Sequence, residues 1–251
     1  MEGRAGAGAP RPTCPTERLT VLQSDLIYLA QFEALSVWLD ALEPGDLEQP
    51  SSLPGWSVGE LIAHLCGTAG SISALRPVDI HDGTEPLTVS EYVAGYRASA
   101  EDIADLARQI AQEESLQPGV DIRKTLHTAH QQAVAALDRL GGADLVVATR
   151  RGPMLLSSFL DTRVLELVVH SLDLHRSLPG HPAPPVLSSA WSRVLTLLRE
   201  LLTERADDPA AALAAASTMS RDEFVAAATG RAGDDPTDDR PLALTALLPL
   251  L

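Results

Sequence analysis

One segment, Arg163-Val164-Leu165-Glu166-Leu167-Val168-Val169-His170-Ser171-Leu172-Asp173, limits what this chain can fold into more than any other. Leu165, Leu167, Val168, Val169 and Leu172 make a helix through it apolar almost all round. A helix with no wet face must be surrounded by other elements. Its polar groups therefore cannot all reach water, and a buried carboxylate is costly unless it is paired or bound to a cation. Glu166 and His170 are four apart, so they lie one turn above the other on one face. Arg163 and Asp173 extend that face by three residues in each direction.

Spacing alone leaves the role of the pair open. A Glu and a His four apart are more often a solvated face or a simple hydrogen bond than two ligands. Arg163 could pair with Glu166, or His170 with Asp173, with no metal involved. His64 offers a third donor, lying between Leu61 and Leu65 on the inward side of another helix. A lone histidine beside an apolar stripe is commonly a hydrogen-bonded core residue. His127 and His130, three apart on a polar helix, read as solvated. His81 falls in a loop, His175 near a helix end and His181 in a linker.

The remainder of the chain reads as helices of the length a bundle needs. Leu19, Leu22, Leu26, Leu29, Phe32, Leu35, Leu39 and Leu42 recur at three- and four-residue steps, which predicts one buried face from about Glu17 to Leu42. Pro44-Gly45 stops that helix. Ser57-Val58-Gly59-Glu60 is a capping box that opens the helix carrying His64, with Trp56 placed to staple onto Leu61. A loop over His81 to Pro86 leads to a second capping box, Thr88-Val89-Ser90-Glu91. It opens one helix through Tyr92, Tyr96, Ile103, Leu106 and Ile110, interrupted by Gln117-Pro118-Gly119. The next helix ends at Gly141-Gly142. Leu145 to Ala148 predicts a short strand leading to a turn at Arg151-Gly152-Pro153, and the apolar helix then starts near Ser157 or Ser158 and ends at Pro179-Gly180. Pro182, Pro184 and Pro185 form a stiff linker to a helix through Trp191, Leu195, Leu198 and Leu202. An alanine-rich stretch, a short helix from Ser220 and an apolar tail from Leu242 to Leu251 complete the chain. This pattern predicts an all-α four-helix bundle over residues 16–180, an irregular extension over 1–15, and a small, mostly helical C-terminal region over 181–251.

Composition removes several function classes. A hydrophobic fraction of 45% and a charged fraction of 21% are those of a globular protein. The net charge of -15 argues against a nucleic-acid partner, since neutralising phosphates takes clustered Lys and Arg. No run approaches the ~20 apolar residues that cross a bilayer. The two cysteines, Cys14 and Cys66, lie in the extension and in an apolar helix, so a bridge between them is not expected and a reducing cytoplasm is.

The segment Leu53-Pro54-Gly55-Trp56-Ser57-Val58-Gly59-Glu60-Leu61-Ile62-Ala63-His64-Leu65 resembles the second-helix signature of the mycothiol-dependent maleylpyruvate isomerase family, part of the wider DinB-like metalloenzyme superfamily. Arg151-Gly152-Pro153-Met154, followed by Arg163 through Glu166 and His170 to Asp173-Leu174, resembles that family's fourth-helix signature. The likeness spans about Thr16 to Leu178. It implies a DinB-like four-helix bundle in which His64, Glu166 and His170 bind a divalent metal, usually zinc, with an open coordination position. It further implies mycothiol as thiol cosubstrate and a small electrophile as substrate, for isomerisation or thiol transfer. Arg163 could then hold a carboxylate of substrate or cofactor through its planar fork, or orient Glu166 or Asp173. Asp173 would steady His170. A metal-dependent hydrolase using metal-bound water, for which no residue clearly supplies the general base although Asp161 and Asp173 are near in sequence, and a non-catalytic ligand-binding bundle are the competing readings. The electrophile and the oligomeric state stay open.

Overall fold

A computed structural model describes residues 15–80, 85–96, 99–115, 121–231 and 241–251. The expectations for the N-terminal extension with Cys14, for His81 and for the break at Gln117-Pro118-Gly119 lie outside them. The elements run α1 (Pro15–Asp40), α2 (Pro44–Leu47), α3 (Val58–Ser73), α4 (Val89–Ala94), α5 (Ala100–Ser115), α6 (Ile122–Leu140), β1 (Val146–Thr149), β2 (Gly152–Leu155), α7 (Leu156–Ser177), α8 (Ser188–Arg205), α9 (Pro209–Ala216), α10 (Arg221–Ala228) and α11 (Leu242–Thr245). No helix of the described residues is long and apolar enough to cross a membrane.

Four helices make the bundle. α1 packs against α6 and α7, and α3 packs against the same two, so the ring order is α1, α6, α3, α7. α5 lies along the outer side of α3, and α8 covers α7 and α1. The core between them contains Tyr28, Phe32, Leu35 and Leu39 from α1, Leu61, Ile62 and Leu65 from α3, Leu126 from α6, and Phe159, Leu160 and Val164 from α7. α7 is buried on nearly every side, as its composition requires.

Local signals account for several helix ends. Ser57 accepts from the Glu60 amide and Glu60 accepts from the Ser57 amide, so the capping box of α3 is complete. Thr88 with Glu91 and Ser220 with Glu223 repeat the arrangement at α4 and α10. Gly141 takes a left-handed φ of 75° to end α6. At the end of α1 the Arg123 guanidinium, held by Asp121, donates to the Leu42 carbonyl at 2.5 Å. The proline linker is pinned to α1: the Gln31 amide group donates to the Pro185 carbonyl and accepts from the Leu187 amide, while Trp38 donates to the Pro182 carbonyl.

Three features differ from the sequence reading, each for a nonlocal or geometric reason. Leu26 is 65% exposed and does not belong to the buried face. The steps from Leu26 to Leu29, Phe32 and Leu35 are all of three residues; at roughly 100° per residue, they carry Leu26 about half a turn away from Leu35. The single helix expected from Thr88 to Ile110 is two, α4 and α5. Gly95 caps α4, and a Cβ there would come within 2.8 Å of Arg151 Nε, so the helix has a glycine where Arg151 needs the space. Gly152 and Pro153, read as part of a turn, instead begin a second strand, Gly152 to Leu155, antiparallel to β1 and flanked by Val78 bonded to Val146 and Leu87 bonded to Pro153. The start of α7 agrees with the expectation near Ser157: it begins at Leu156, where Asp144, thirteen residues before Ser157, accepts from both the amide and the hydroxyl of Ser157.

Replacing Ser57 with Ala removes one half of the α3 capping box. It should lower the unfolding free energy by about 1 kcal/mol, read as a lower urea midpoint at unchanged slope. An unchanged midpoint would show that the Ser57 cap does not stabilise α3.

Candidate metal centre

The three residues singled out from the sequence meet in one place. α3 brings His64, and α7 brings Glu166 and His170 one turn apart. One ligand atom from each lies within 4.8 Å of the other two. Glu166 Oε2 is 3.2 Å from His64 Nε2 and 3.1 Å from His170 Nε2, and the two imidazoles stand edge to face with centroids 4.7 Å apart. Trp56 turns its ring edgewise to His64 at 5.8 Å, which limits how that imidazole can rotate.

Asp173, 1% exposed, accepts from His170 Nδ1 at 2.9 Å, the pairing expected from their spacing. The guanidinium that faces Asp173 was not foreseen. Arg231, just past the end of α10, places Nε 2.9 Å from both carboxylate oxygens and donates Nη1 to the Thr229 carbonyl. Nothing local announces this contact, because 58 residues separate the partners. Ser52 and Ser177 both donate to the Asp173 carbonyl, fixing this end of α7.

The electrostatics follow from burial set against these bonds. Burial dominates at His64 and pushes its pKa down, more than the Glu166 bond restores. At His170 burial also acts downward, but the bonds to Asp173 and Glu166 outweigh it and hold the pKa up. Burial alone would raise Glu166; the hydrogen bonds from both histidines and the charge of Arg163 hold it well below the usual carboxylate range. Asp173 is likewise lowered, by His170 and Arg231 against its burial.

Arg163 is 6% exposed, and its hydrogen bonds go to hydroxyls, not carboxylates. Nη2 donates to Tyr96 Oη at 2.9 Å, Nε to Thr162 Oγ1 at 3.1 Å and Nη1 reaches Ser71 Oγ at 3.5 Å. Its guanidinium lies over the Phe159 ring at 4.8 Å. The direct pairings considered with Glu166 or Asp173 are therefore replaced by contacts with neutral groups, and Arg163 acts on Glu166 through space. A second guanidinium, Arg151, stacks over Tyr92 and Tyr96 at 4.9 and 5.0 Å.

Two cavities meet at the triad, both touching His64, Tyr96, Ile103 and Glu166. One, of about 110 Å³, lies toward Arg150, Arg151 and Arg163. The other, of about 260 Å³, is walled by Leu53, Trp56, Leu165, Val169 and Leu251, with His170 and Arg231 at its polar side.

A family profile described as the mycothiol maleylpyruvate isomerase N-terminal domain matches residues 28–175. The chain belongs to this family. Membership makes it an enzyme of the mycothiol-dependent maleylpyruvate isomerase type, and the matched segment contains His64, Arg163, Glu166, His170 and Asp173. No curated protein matches the sequence. Among solved structures, that of the mycothiol-dependent maleylpyruvate isomerase is similar at a TM-score of 0.52 and 17% identity, over 85% of this chain and 90% of that one. A histidine-to-alanine mutant of a mycothiol-dependent maleylpyruvate isomerase gives 0.49 and 17%, over 73% and 70%. At that identity the first likeness speaks for the shared helical fold alone.

The other polar residues considered are engaged elsewhere. Asp161 accepts from Ser24 and is paired with Arg193 of α8, so it is a structural anchor between helices and not a base at the site. His127 is exposed and contacts Asp40, as a solvated residue would. His130 is half-buried and not on a solvated face: it stacks on Phe32 at 3.6 Å, and its Nδ1 is buried with no hydrogen-bond partner among the described residues. His181 contacts Asp46. Cys66 is buried in α3.

Burial, with a smaller contribution from His127, pushes the His130 pKa down from 6.5 to about 4. Because the folded pKa is depressed, the contribution of His130 to stability is present above pH 6.5 and lost as pH falls toward 4. Asp25 works in the opposite sense, its pKa raised to about 6 by burial and by Asp144. The stability of His130→Leu relative to wild type should therefore rise as pH is lowered through that interval, in paired urea titrations. A difference independent of pH would show that His130 is solvated after all.

Proposed function

We propose that His64, Glu166 and His170 hold a divalent metal, zinc, beside which mycothiol attacks a small anionic electrophile, giving cis-trans isomerisation or thiol transfer. The observation that carries this reading is the hydrogen-bond balance of His170. Its Nδ1 faces the Asp173 carboxylate and its Nε2 faces Glu166, so both nitrogens point at acceptors. A cation between Nε2 and Glu166 lets His170 stay neutral, donating from Nδ1 while the Nε2 lone pair becomes a ligand. Two imidazoles and one carboxylate also form the donor set of catalytic zinc sites, with room for another ligand. Bound zinc would lower the pKa of a thiol and so supply thiolate near neutral pH.

Thiolate addition to a double bond conjugated with a carbonyl forms a C–S bond and moves the electron pair to the carbonyl oxygen. The former double bond can then rotate, and expulsion of the thiolate restores it in the other geometry. The chain's own residues suit such a substrate. Arg163 presents a permanent, dehydrated charge that no carboxylate among the described residues ties down, beside the smaller cavity. It can hold a substrate carboxylate or the oxygen on which charge develops. Tyr96 accepts from Arg163 at the wall common to both cavities and fixes the direction of that guanidinium. Trp56, Leu165 and Val169 give the other cavity an apolar wall.

The hydrolase reading needs a general base. The two carboxylates considered for that role are committed, Asp161 to Arg193 and Asp173 to His170 and Arg231.

Protein purified without chelators should carry stoichiometric zinc, and His64→Ala and His170→Ala should lose it, by elemental analysis. Mycothiol should raise the melting temperature of the metal-loaded protein, with glutathione giving a smaller shift, because a ligand of the native state alone stabilises it. Metal-free wild type would sink the site, and indifference to every thiol would sink the cosubstrate.

Arg163→Lys keeps the charge but loses the fork. With maleylpyruvate as test substrate it should raise KM about tenfold or more if Arg163 anchors a carboxylate, since a charge-assisted hydrogen bond contributes about 1.5–3 kcal/mol. An unchanged kcat/KM would remove Arg163 from the substrate site.

A further inference from the structure

The metal site assigned above lies entirely within residues 28–175, yet one of the groups that orders it does not. Arg231 belongs to the turn after α10, and its approach to Asp173 depends on how that helix ends. Gly230 takes a left-handed φ of 71°. The Arg231 amide donates to the Ala226 carbonyl at 2.7 Å and the Gly230 amide to the Ala227 carbonyl at 3.3 Å. These are the two bonds of a Schellman turn, which reverses the chain at a helix end. The reversal sends the Arg231 side chain back toward α7, and the Leu250 amide bonds to the Ala228 carbonyl on the same turn.

We infer that Arg231 is a positioning residue for the metal ligand His170, acting through Asp173, so that the C-terminal region sets the metal affinity of a site built in the bundle. The inference rests on the metal reading of the triad. Asp173 Oδ2 is shared, lying 2.9 Å from both His170 Nδ1 and Arg231 Nε. An Asp173 rotated out of this position would no longer accept from Nδ1, and the His170 ring would lose both its tautomer and its orientation toward Glu166. Arg176 does not substitute for Arg231: it is 3.7 Å from Asp173 Oδ1, 39% exposed, and free to turn into solvent. Arg231 instead is fixed at both ends, by Asp173 through Nε and by the Thr229 carbonyl through Nη1.

The test compares wild type, Arg231→Ala, Arg231→Lys and Gly230→Ala by competitive zinc titration against a chromophoric chelator, and by the visible spectrum of the cobalt(II)-substituted protein. Gly230→Ala leaves the arginine in place but strains the turn that aims it. All three variants should bind zinc more weakly, by roughly tenfold for Arg231→Ala, the lower end of what loss of a group supporting a ligand costs. Their cobalt spectra should shift, because the ligand field changes when an imidazole turns. A merely structural role would lower the melting temperature while leaving spectrum and affinity at wild-type values, and that result overturns the inference. Should Arg231→Ala not fold, Arg231→Lys, which retains the charge, decides on the same two readouts. Wild type that binds neither zinc nor cobalt overturns the metal reading itself, a result distinct from wild type and variants binding alike.

Discussion

The burial of α7 is the constraint on which the rest of the molecule depends. A helix surrounded by other elements can contribute apolar packing along its length, but every charge on it must then be satisfied by the protein itself. Four of the five charged groups on α7, and one of its two imidazoles, meet that demand in different ways. Asp161 receives Ser24 from α1 and Arg193 from α8, so one carboxylate holds two neighbouring helices against the centre. Arg163 is met by hydroxyls and aromatic faces, which leaves its charge dehydrated without cancelling it. Asp173 receives Arg231 and His170. Glu166 receives His64 and His170, neither of which carries a fixed positive charge.

This unequal satisfaction is what makes the centre chemically interesting. A fully paired carboxylate such as Asp161 is inert scaffolding. Glu166 lies between two imidazoles at which burial opposes protonation, prevailing at His64 and outweighed at His170 by the bonds to Asp173 and Glu166. Arg163 lies on the neighbouring turn as a cation with neutral partners, beside one of the two cavities that reach the triad. The chain belongs to the mycothiol maleylpyruvate isomerase family, and in the proposed reading a thiol and an anionic electrophile would reach the same triad from the two cavities.

Much of this was legible because the relevant signals are short-range. Capping boxes at Ser57, Thr88 and Ser220 act over three residues, and Gly141 ends α6 through its own left-handed φ. The Glu166, His170 and Asp173 spacing is a property of one helix. Features decided by partners distant in sequence were not legible. Arg151 packs where a Cβ on Gly95 would lie, beside the end of α4, and Phe32 stacks on a half-buried His130. Leu26 shows a different limit: a stripe read by step size alone drifts around the helix when steps of three follow one another.

The sequence by itself determined that α7 would be a buried helix carrying Arg163, Glu166, His170 and Asp173 on one side, because composition and a 3.6-residue period are local facts. It also marked His64 as an inward-facing histidine of a capped helix. Only the tertiary structure decided which groups answer those charges. His64 across the bundle, Tyr96 beside Arg163 and Arg231 on the turn after α10 reach α7 through helix packing and chain reversal. The reason is physical: a buried charge states that a partner is required, and only the packed chain brings one within hydrogen-bonding distance.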